Sequence, residues 1–200
     1  HCAAPIKDKN DPATEMSTVV GGTVALASRF PEARFILISS LTDMFSEEQH
    51  LGVVTDNTEP QPISTSALAK LLSEVSLLKL HKNWVSLRVS EVYGPGKNTG
   101  VISVFMENLR KDLDLKIPGS GKQIRDYIHV EDIAQAVFIA ATKDKAINSF
   151  LHICSGQSLS LNDLMLMFKT HNLGPRVTYE DGDYELRNGN FPPPERARSI

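Results

Sequence analysis

Apolar residues along the chain fall into two alternating spacings. Met16, Val20, Val24 and Ala27 recur at helical intervals over residues 11 to 30, behind an Asp11-Pro12 start and across a Gly21-Gly22 pair that lowers helix propensity. Pro31 ends that run. Phe35-Ile36-Leu37-Ile38 follows as the short continuous apolar stretch of a strand buried on both faces of a parallel sheet. Residues 45 to 62 are polar and loop-like. From Ser64 to Leu80 the spacing is helical again, with Leu68, Leu71, Leu72, Val75 and Leu78 on one face, and a strand over Trp84 to Val89 comes next. Strand, helix and strand at this separation predict a right-handed crossover between parallel neighbours.

The second half repeats the logic with shorter pieces. Val101, Val104, Phe105 and Leu109 mark an amphipathic helix, and Leu115 to Pro118 a short edge strand closed by its proline. Gly119-Ser120-Gly121 predicts a tight turn that brings backbone and Lys122 close to a ligand. An alternation through Tyr127, Ile128 and Val130 leads into a helix opened by Glu131 and Asp132, where negative charge suits a helix N-terminus. On that helix Ile133, Ala136, Val137, Ala140 and Ala141 share a face. Phe150 to Ile153 reads as a strand and Cys154-Ser-Gly-Gln as a turn. Ser158 to Asp163 then caps a helix bearing Leu161, Leu164, Met165 and Phe168. Residues 179 to 200, with Pro192-Pro193-Pro194, predict an exposed tail or strap. The order implies an α/β protein with a partial doubly wound parallel sheet.

Composition narrows the function classes. Two hundred residues, 41% hydrophobic and 22% charged, suffice for one core and a small lobe. A net charge of −3 without a Lys/Arg run argues against nucleic acid or an anionic membrane as partner. No apolar stretch approaches the roughly 18 residues of a membrane span. Cys2, Cys154 and six histidines show no metal-ligand spacing, so no metal is expected, and a reducing cytoplasm is the default location. Ser39 and Ser40 stand at the C-terminal end of a predicted strand, where ligand chemistry concentrates in open α/β sheets. Arg125 offers a planar fork of donors suited to phosphate; pairing with Asp126 or Glu131 at a helix start reads its residue type equally well.

Several blocks carry a family resemblance. Gly119 to Ala134 closely resembles the "G-G-R-D-(Y/F)-(I/V)-H-V-x-D-(I/V)-A" block of the NAD-dependent epimerase/dehydratase family, extended short-chain dehydrogenases that act on nucleotide sugars. Arg88 to Gly96 is similar to its "L-R-x-x-N-V-Y-G-P-G", and Pro62 to Glu74 to its "P-x-S-x-Y-x-x-S-K-x-x-x-E". His1, Ala3 and Ala4 resemble "H-x-A-A" at the end of the fourth Rossmann strand. Ser39-Ser40 resembles the start of "S-S-x-x-V-Y-G", and the stretch from Phe150 onward resembles "y-N-i-g-s-G-x-x-x-S-x-x-E-L". The likeness runs from His1 to about Ser199, the C-terminal two-thirds of a typical member, with the glycine-rich turn left off. It implies that residues 1–95 form the C-terminal half of a Rossmann-like NAD-binding domain. Residues 96–200 would then be mainly a substrate lobe, Phe150 to Ile153 returning to the sheet.

The same resemblance implies roles. Ala3, Ala4 and Ser39 would lie beside the dinucleotide, and Lys70 would hold the ribose of NAD or NADP. Ser40 would orient the reacting hydroxyl, Arg125 would grip the diphosphate of a nucleotide-diphosphate sugar, and Glu91 would stand near the phosphates. Relatives are often dimers through the helices that contain Lys70 and Met16, which implies a homodimer. The sequence departs from the pattern at four places. Ser66 occupies the position of the tyrosine whose phenol the lysine activates, and an aliphatic hydroxyl is a poor general base. Glu91 replaces an asparagine, and a carboxylate there repels a diphosphate unless protonated or paired. Asp43, Met44 and Phe45 replace Val, Tyr and Gly, and His152 replaces an asparagine. The expectation is an NAD-dependent nucleotide-sugar epimerase or 4,6-dehydratase-like protein, impaired at Ser66. The alternatives are an inactive member that binds a nucleotide sugar or a protein partner and, more weakly, a reductase of a small carbonyl compound.

Overall fold

The computed structural model describes residues 1–2, 11–46, 49, 53–170, 176–180 and 191–200; Ala3 and Ala4 lie outside the described residues. In chain order the elements are α1 (Pro12–Met16), α2 (Gly22–Arg29), β1 (Phe35–Ser40), α3 (Thr65–Leu80), β2 (Trp84–Val89), β3 (Glu91–Tyr93) and α4 (Val101–Arg110). Then follow β4 (Leu115–Pro118), β5 (Ile124–His129), α5 (Val130–Thr142), β6 (Ser149–Ile153), β7 (Ser158–Ser160), α6 (Leu161–Thr170), β8 (Val177–Glu180) and α7 (Glu195–Arg198).

Asp11 caps α1, its carboxylate accepting from the backbone of Ala13 and Thr14 at 3.2 and 3.0 Å. A π turn over Ser17–Gly21 joins α1 to α2. The wider turn rotates the register, so the buried positions are Val19, Thr23 and Ala27, while Met16, Val20 and Val24 are only half-buried. The predicted stripe is thus displaced from the true inner face.

β1 and β2 pair in parallel from Phe35 opposite Trp84 to Ser40 opposite Val89, with α3 as the crossover. β6 joins the other edge of β2, also parallel. The N-terminal nitrogen of His1 donates to Ile36 O at 2.7 Å, and Ile38 N donates to His1 O at 3.1 Å, so His1 lies along the outer edge of β1 in a parallel ladder. Val85, Leu87 and Val89 pack toward α5, whereas Phe35, Leu37 and Trp84 face α2 and α3. Burial along β1 alternates, with Phe35, Leu37 and Ser39 buried and Ile36, Ile38 and Ser40 half-buried. The sheet is covered on both faces, but unequally at this strand.

α3 departs most from its predicted packing. Its buried residues are Ala67, Ala69, Lys70, Ser73, Glu74 and Leu77. Of the predicted stripe, Leu71 is half-buried against the core around Phe45 and Phe191, whereas Leu68, Leu72, Val75 and Leu78 point out, 40, 41, 46 and 50% exposed. Inside, Arg88 makes a buried ion pair with Glu74 at 2.8 Å, Ser86 donates to the same carboxylate, and the guanidinium lies 4.9 Å from the Phe150 ring centre.

The smaller lobe holds a β3-β5-β7 sheet and the parallel pair β4-β8. Phe105, Leu115, Ile117, Tyr127, Leu161, Leu164 and Met165 form its core. Gly119 and Gly121 both have positive φ, as a tight turn requires. The turn closes on the protein itself: Asn162 donates from its backbone to Gly121 O and from its amide to Ser120 O, each at 3.1 Å, and a side chain on Gly121 would strike Asn162. Lys122 is exposed. The close approach predicted for a ligand is therefore made to the start of α6.

Residues 191–200 are docked rather than free. Phe191 is buried with Leu41, Met44, Phe45, Val54 and Cys154, so residues 45–62 also contribute apolar core. The backbone of Arg196 donates to Asp56, its guanidinium donates to Asn57, and Ala197 and Ile200 pack on the first core. Among the described residues, no helix is long and apolar enough to cross a membrane.

Candidate functional site

Chemistry gathers first at the C-terminal end of β1. Lys70 is 8% exposed, and its ammonium donates to Ile38 O at 2.9 Å. Burial pulls its pKa below the usual 10.5, against the opposing fields of Cys2, Glu15 and Glu74. Ser39 is buried on the α3 side of the strand, and its hydroxyl has no partner among the described residues. Ser40, the last residue of β1, is half-buried. Ser66 lies one turn before Lys70, yet it is exposed while the lysine turns inward.

A cleft of about 1070 Å³ opens in the smaller lobe between the β3–α4 loop, α4, β5, the β6–β7 turn and α6. Ile102, Met106, Leu164 and Phe168 supply apolar wall; Tyr127, His129 and Gln157 supply polar groups; Lys97 and Arg110 bring positive charge, with Glu107 3.9 Å from Arg110 bringing negative charge to the same wall. Tyr127 is 7% exposed and its hydroxyl is unpartnered. Burial raises its pKa to about 12, with Arg125 acting downward and Glu91 upward, so the phenol is a hydrogen-bond donor at neutral pH.

Strand geometry explains this floor. Side chains alternate across β5, so Arg125, Tyr127 and His129 share one face and Asp126 and Ile128 the other. Glu91 stands opposite Tyr127 in the β3–β5 register. Ser40, Ser66, Lys70 and Arg125 do not line the large cleft, and Glu91 reaches only a narrow gap behind it, shared with Tyr93, Gly100, Val101 and Tyr127. The two groups of residues are linked through the backbone: Ser40 pairs with Val89, and the chain runs through Ser90 into Glu91.

Asp126 bolts these parts together. Its carboxylate is 1% exposed and accepts four bonds, from Ser90 Oγ, Ser155 N, Ser155 Oγ and Gly156 N, each at 2.8 Å. Those four bonds and the opposite facing of its side chain dispose of Asp126 as the partner that Arg125 alone suggested. Gly94 is needed for another reason: at φ +124°, a Cβ there would lie 2.8 Å from His129 Nε2. His129 in turn caps α5, accepting from Glu131 N, and its ring stands 5.2 Å from that of Tyr93. Sequence reasoning did not single out Tyr93, Tyr127 or His129 as cleft residues; the period of two from Arg125 was the signal that could have found them. His152, buried beside Asp56 with Nδ1 to Oδ1 at 3.6 Å, has its pKa pushed down by burial.

A family model described as "NAD dependent epimerase/dehydratase family" matches residues 1–153. The chain is 29% identical over 191 residues to the putative UDP-glucose 4-epimerase of Methanocaldococcus jannaschii, covering 88% of this chain and 61% of that protein. It therefore spans about three-fifths of the length of that curated relative. In fold it is similar to the UDP-glucose 4-epimerase of Thermotoga maritima solved with UDP-glucose, with a TM-score of 0.81 at 21% identity, over 99% of this chain and 69% of that one. The UDP-glucuronic acid 4-epimerase of Bacillus cereus solved with NAD gives a TM-score of 0.81 at 21% identity, over 99% and 65%. With the parallel crossover, the Lys70 position and a family model covering well over half its residues, this chain belongs to the NAD-dependent epimerase/dehydratase family.

Proposed function

We propose that the protein acts on a nucleotide-diphosphate sugar as an NAD-dependent epimerase or 4,6-dehydratase, with turnover weakened by Ser66. The observation that carries this is the unpartnered Tyr127 hydroxyl in the floor of a cleft large enough for a nucleotide; Arg125, two residues earlier on the same face of β5, lies outside that lining, with its guanidinium donating to Ile124 O at 2.8 Å. Arg125 offers its fork to the diphosphate, and Tyr127 donates to a ligand oxygen. Ser40 orients the sugar hydroxyl that reacts.

The residues present fit a nicotinamide dinucleotide at the β1 end. Ser39 presents a buried unpaired hydroxyl and Lys70 a buried ammonium to hold a ribose, on the same side of the strand. When bound, NAD accepts a hydride from the sugar ring and returns it. Lys70, its pKa already lowered by burial, would in a tyrosine-bearing relative favour the ionised phenol four residues earlier; Ser66 gives it no phenol to act on. That absence favours a second reading, in which the protein binds the nucleotide sugar without turning it over.

The exposed stripe of α3, together with Leu26 and Phe30 at 38 and 52% exposure on the α2 segment packed against it, supports a homodimer through this face. The binding reading is tested by calorimetric titration of UDP-glucose: Arg125→Ala should weaken binding by about 2 to 5 kcal/mol. Unchanged affinity would remove Arg125 from the site. Ser66→Tyr should raise turnover in the presence of NAD roughly 10²-fold or more if the enzyme reading is right; a variant as inert as the parent would leave only the binding reading.

A further inference from the structure

Among the described residues, the Lys, Arg, Asp and Glu side chains that line the large cleft belong to Lys97, Glu107 and Arg110. Glu107 and Arg110 already have partners. Glu107 lies 3.0 Å from Lys111 and 3.9 Å from Arg110 along α4, and Arg110 is 74% exposed. Lys97 is half-buried, and its ammonium has neither a carboxylate at ion-pair distance nor a hydrogen-bond acceptor among the described residues. The β3–α4 loop fixes its backbone: Lys97 N donates to Gly94 O at 3.2 Å, and Lys97 O accepts from Ser103 Oγ, in the first turn of α4, at 2.8 Å. Lys97 Cε lies 3.9 Å from where a Cβ on Gly100 would stand, with Glu91 Oε1 3.0 Å from the same point. Gly100 and Tyr127 both border the narrow gap behind the cleft, so the lysine stem ends on the side where the unpartnered Tyr127 hydroxyl lies. Glu91 faces that gap and does not line the cleft.

The free protein thus holds one uncompensated cation in the cleft wall, near a buried donor with no acceptor. Resting on the nucleotide-sugar reading above, we propose that Lys97 is a further phosphate-binding residue of this chain, its ammonium donating to a phosphate oxygen of the ligand from the β3–α4 loop. Arg125 lies outside the cleft lining, whereas Lys97 meets the ligand from within it. An ammonium is a compact charge with three rotatable donors, so it needs no planar register with the phosphate. Its half-buried setting weakens the screening by water, and the attraction exceeds that of a surface lysine.

The test uses UDP and the 200-residue chain, titrated calorimetrically at low and at high salt. Lys97→Met, which keeps the length of the side chain and removes its charge, should weaken UDP binding at low salt roughly ten-fold. The affinity of that variant should also fall less steeply with salt than the parent's, because one screened attraction has gone. Lys97→Arg should keep most of the parent's affinity, which separates charge from disturbance of the loop, and Arg110→Met should change it by less than about two-fold. Parent-like affinity and salt dependence in Lys97→Met overturn the assignment while leaving the nucleotide reading standing. An equal loss in Arg110→Met, the mark of a diffuse positive field, overturns it too. Absence of UDP binding by the parent at both salt concentrations overturns the assignment and the nucleotide reading together.

Discussion

Asp126→Asn tests whether the site is held together by one buried carboxylate. The amide keeps an oxygen for Ser90 Oγ and Ser155 N, and its NH₂ donates to Ser155 Oγ, but it meets the Gly156 N–H donor to donor. Three bonds lose their charge assistance at about 1 kcal/mol each, and the stranded Gly156 N–H costs about 1 to 3 kcal/mol. Removing a charge from a site that is 1% exposed returns part of its desolvation cost, leaving a net loss of about 3 kcal/mol. That is a large share of the 5 to 15 kcal/mol typical of a folded domain. In urea, with a slope of about 2 kcal/mol per molar, the unfolding midpoint should fall by about 1.5 M. Because Ser155 also lines the cleft, UDP-glucose affinity should fall in the variant even where it is fully folded. A midpoint shift under about 0.5 M, with affinity intact, would refute the carboxylate as the joint between β5 and the β6–β7 turn.

Three further outcomes follow from packing and charge. Arg88→Met strands the Glu74 carboxylate, which is fully buried, and should cost about 3 to 5 kcal/mol in denaturant unfolding, whereas pairing it with Glu74→Leu should recover most of that loss. Leu72→Glu, in the middle of the exposed α3 stripe, should turn a dimer into a monomer by light scattering; a parent that is itself monomeric would refute the dimer face. His152 is held neutral by burial, with Arg88 and Arg196 opposing and Asp56 favouring its protonation. The unfolded chain therefore binds the extra proton near pH 6.5 and the folded one only near pH 4, so stability should fall as pH drops through that window. His152→Asn should flatten that part of the pH profile of unfolding, and an unchanged slope would exclude His152 as its source.

Much of the fold was legible from residue spacing. Phe35 to Ile38 and Trp84 to Val89 lie within parallel neighbours joined by a helix, because a strand and its crossover are written in nearby residues. Arg125 was legible from its motif, and its surroundings were not. Tyr127 was read as one apolar position in an alternation, although its hydroxyl is buried and unpaired. The glycine turn was expected to approach a ligand, yet Asn162, more than forty residues later, fills that space. The segment after residue 190 looked like a tail because proline and charge dominate it; Phe191 nevertheless completes a core with Leu41, Phe45 and Val54.

By itself the sequence determined the α/β order, the parallel crossover and the family, since each rests on local periodicity or on short blocks of adjacent residues. Only the tertiary structure decided which side of α3 faces inward, that Asp126 joins three segments, and that Glu91 stands across from Tyr127. Helical spacing reveals that a stripe such as Leu68, Leu72 and Val75 wants a partner surface, but the partner is supplied by packing between elements. On α3 that packing selected Lys70, Glu74 and Leu77 and left Leu68, Leu72, Val75 and Leu78 outside.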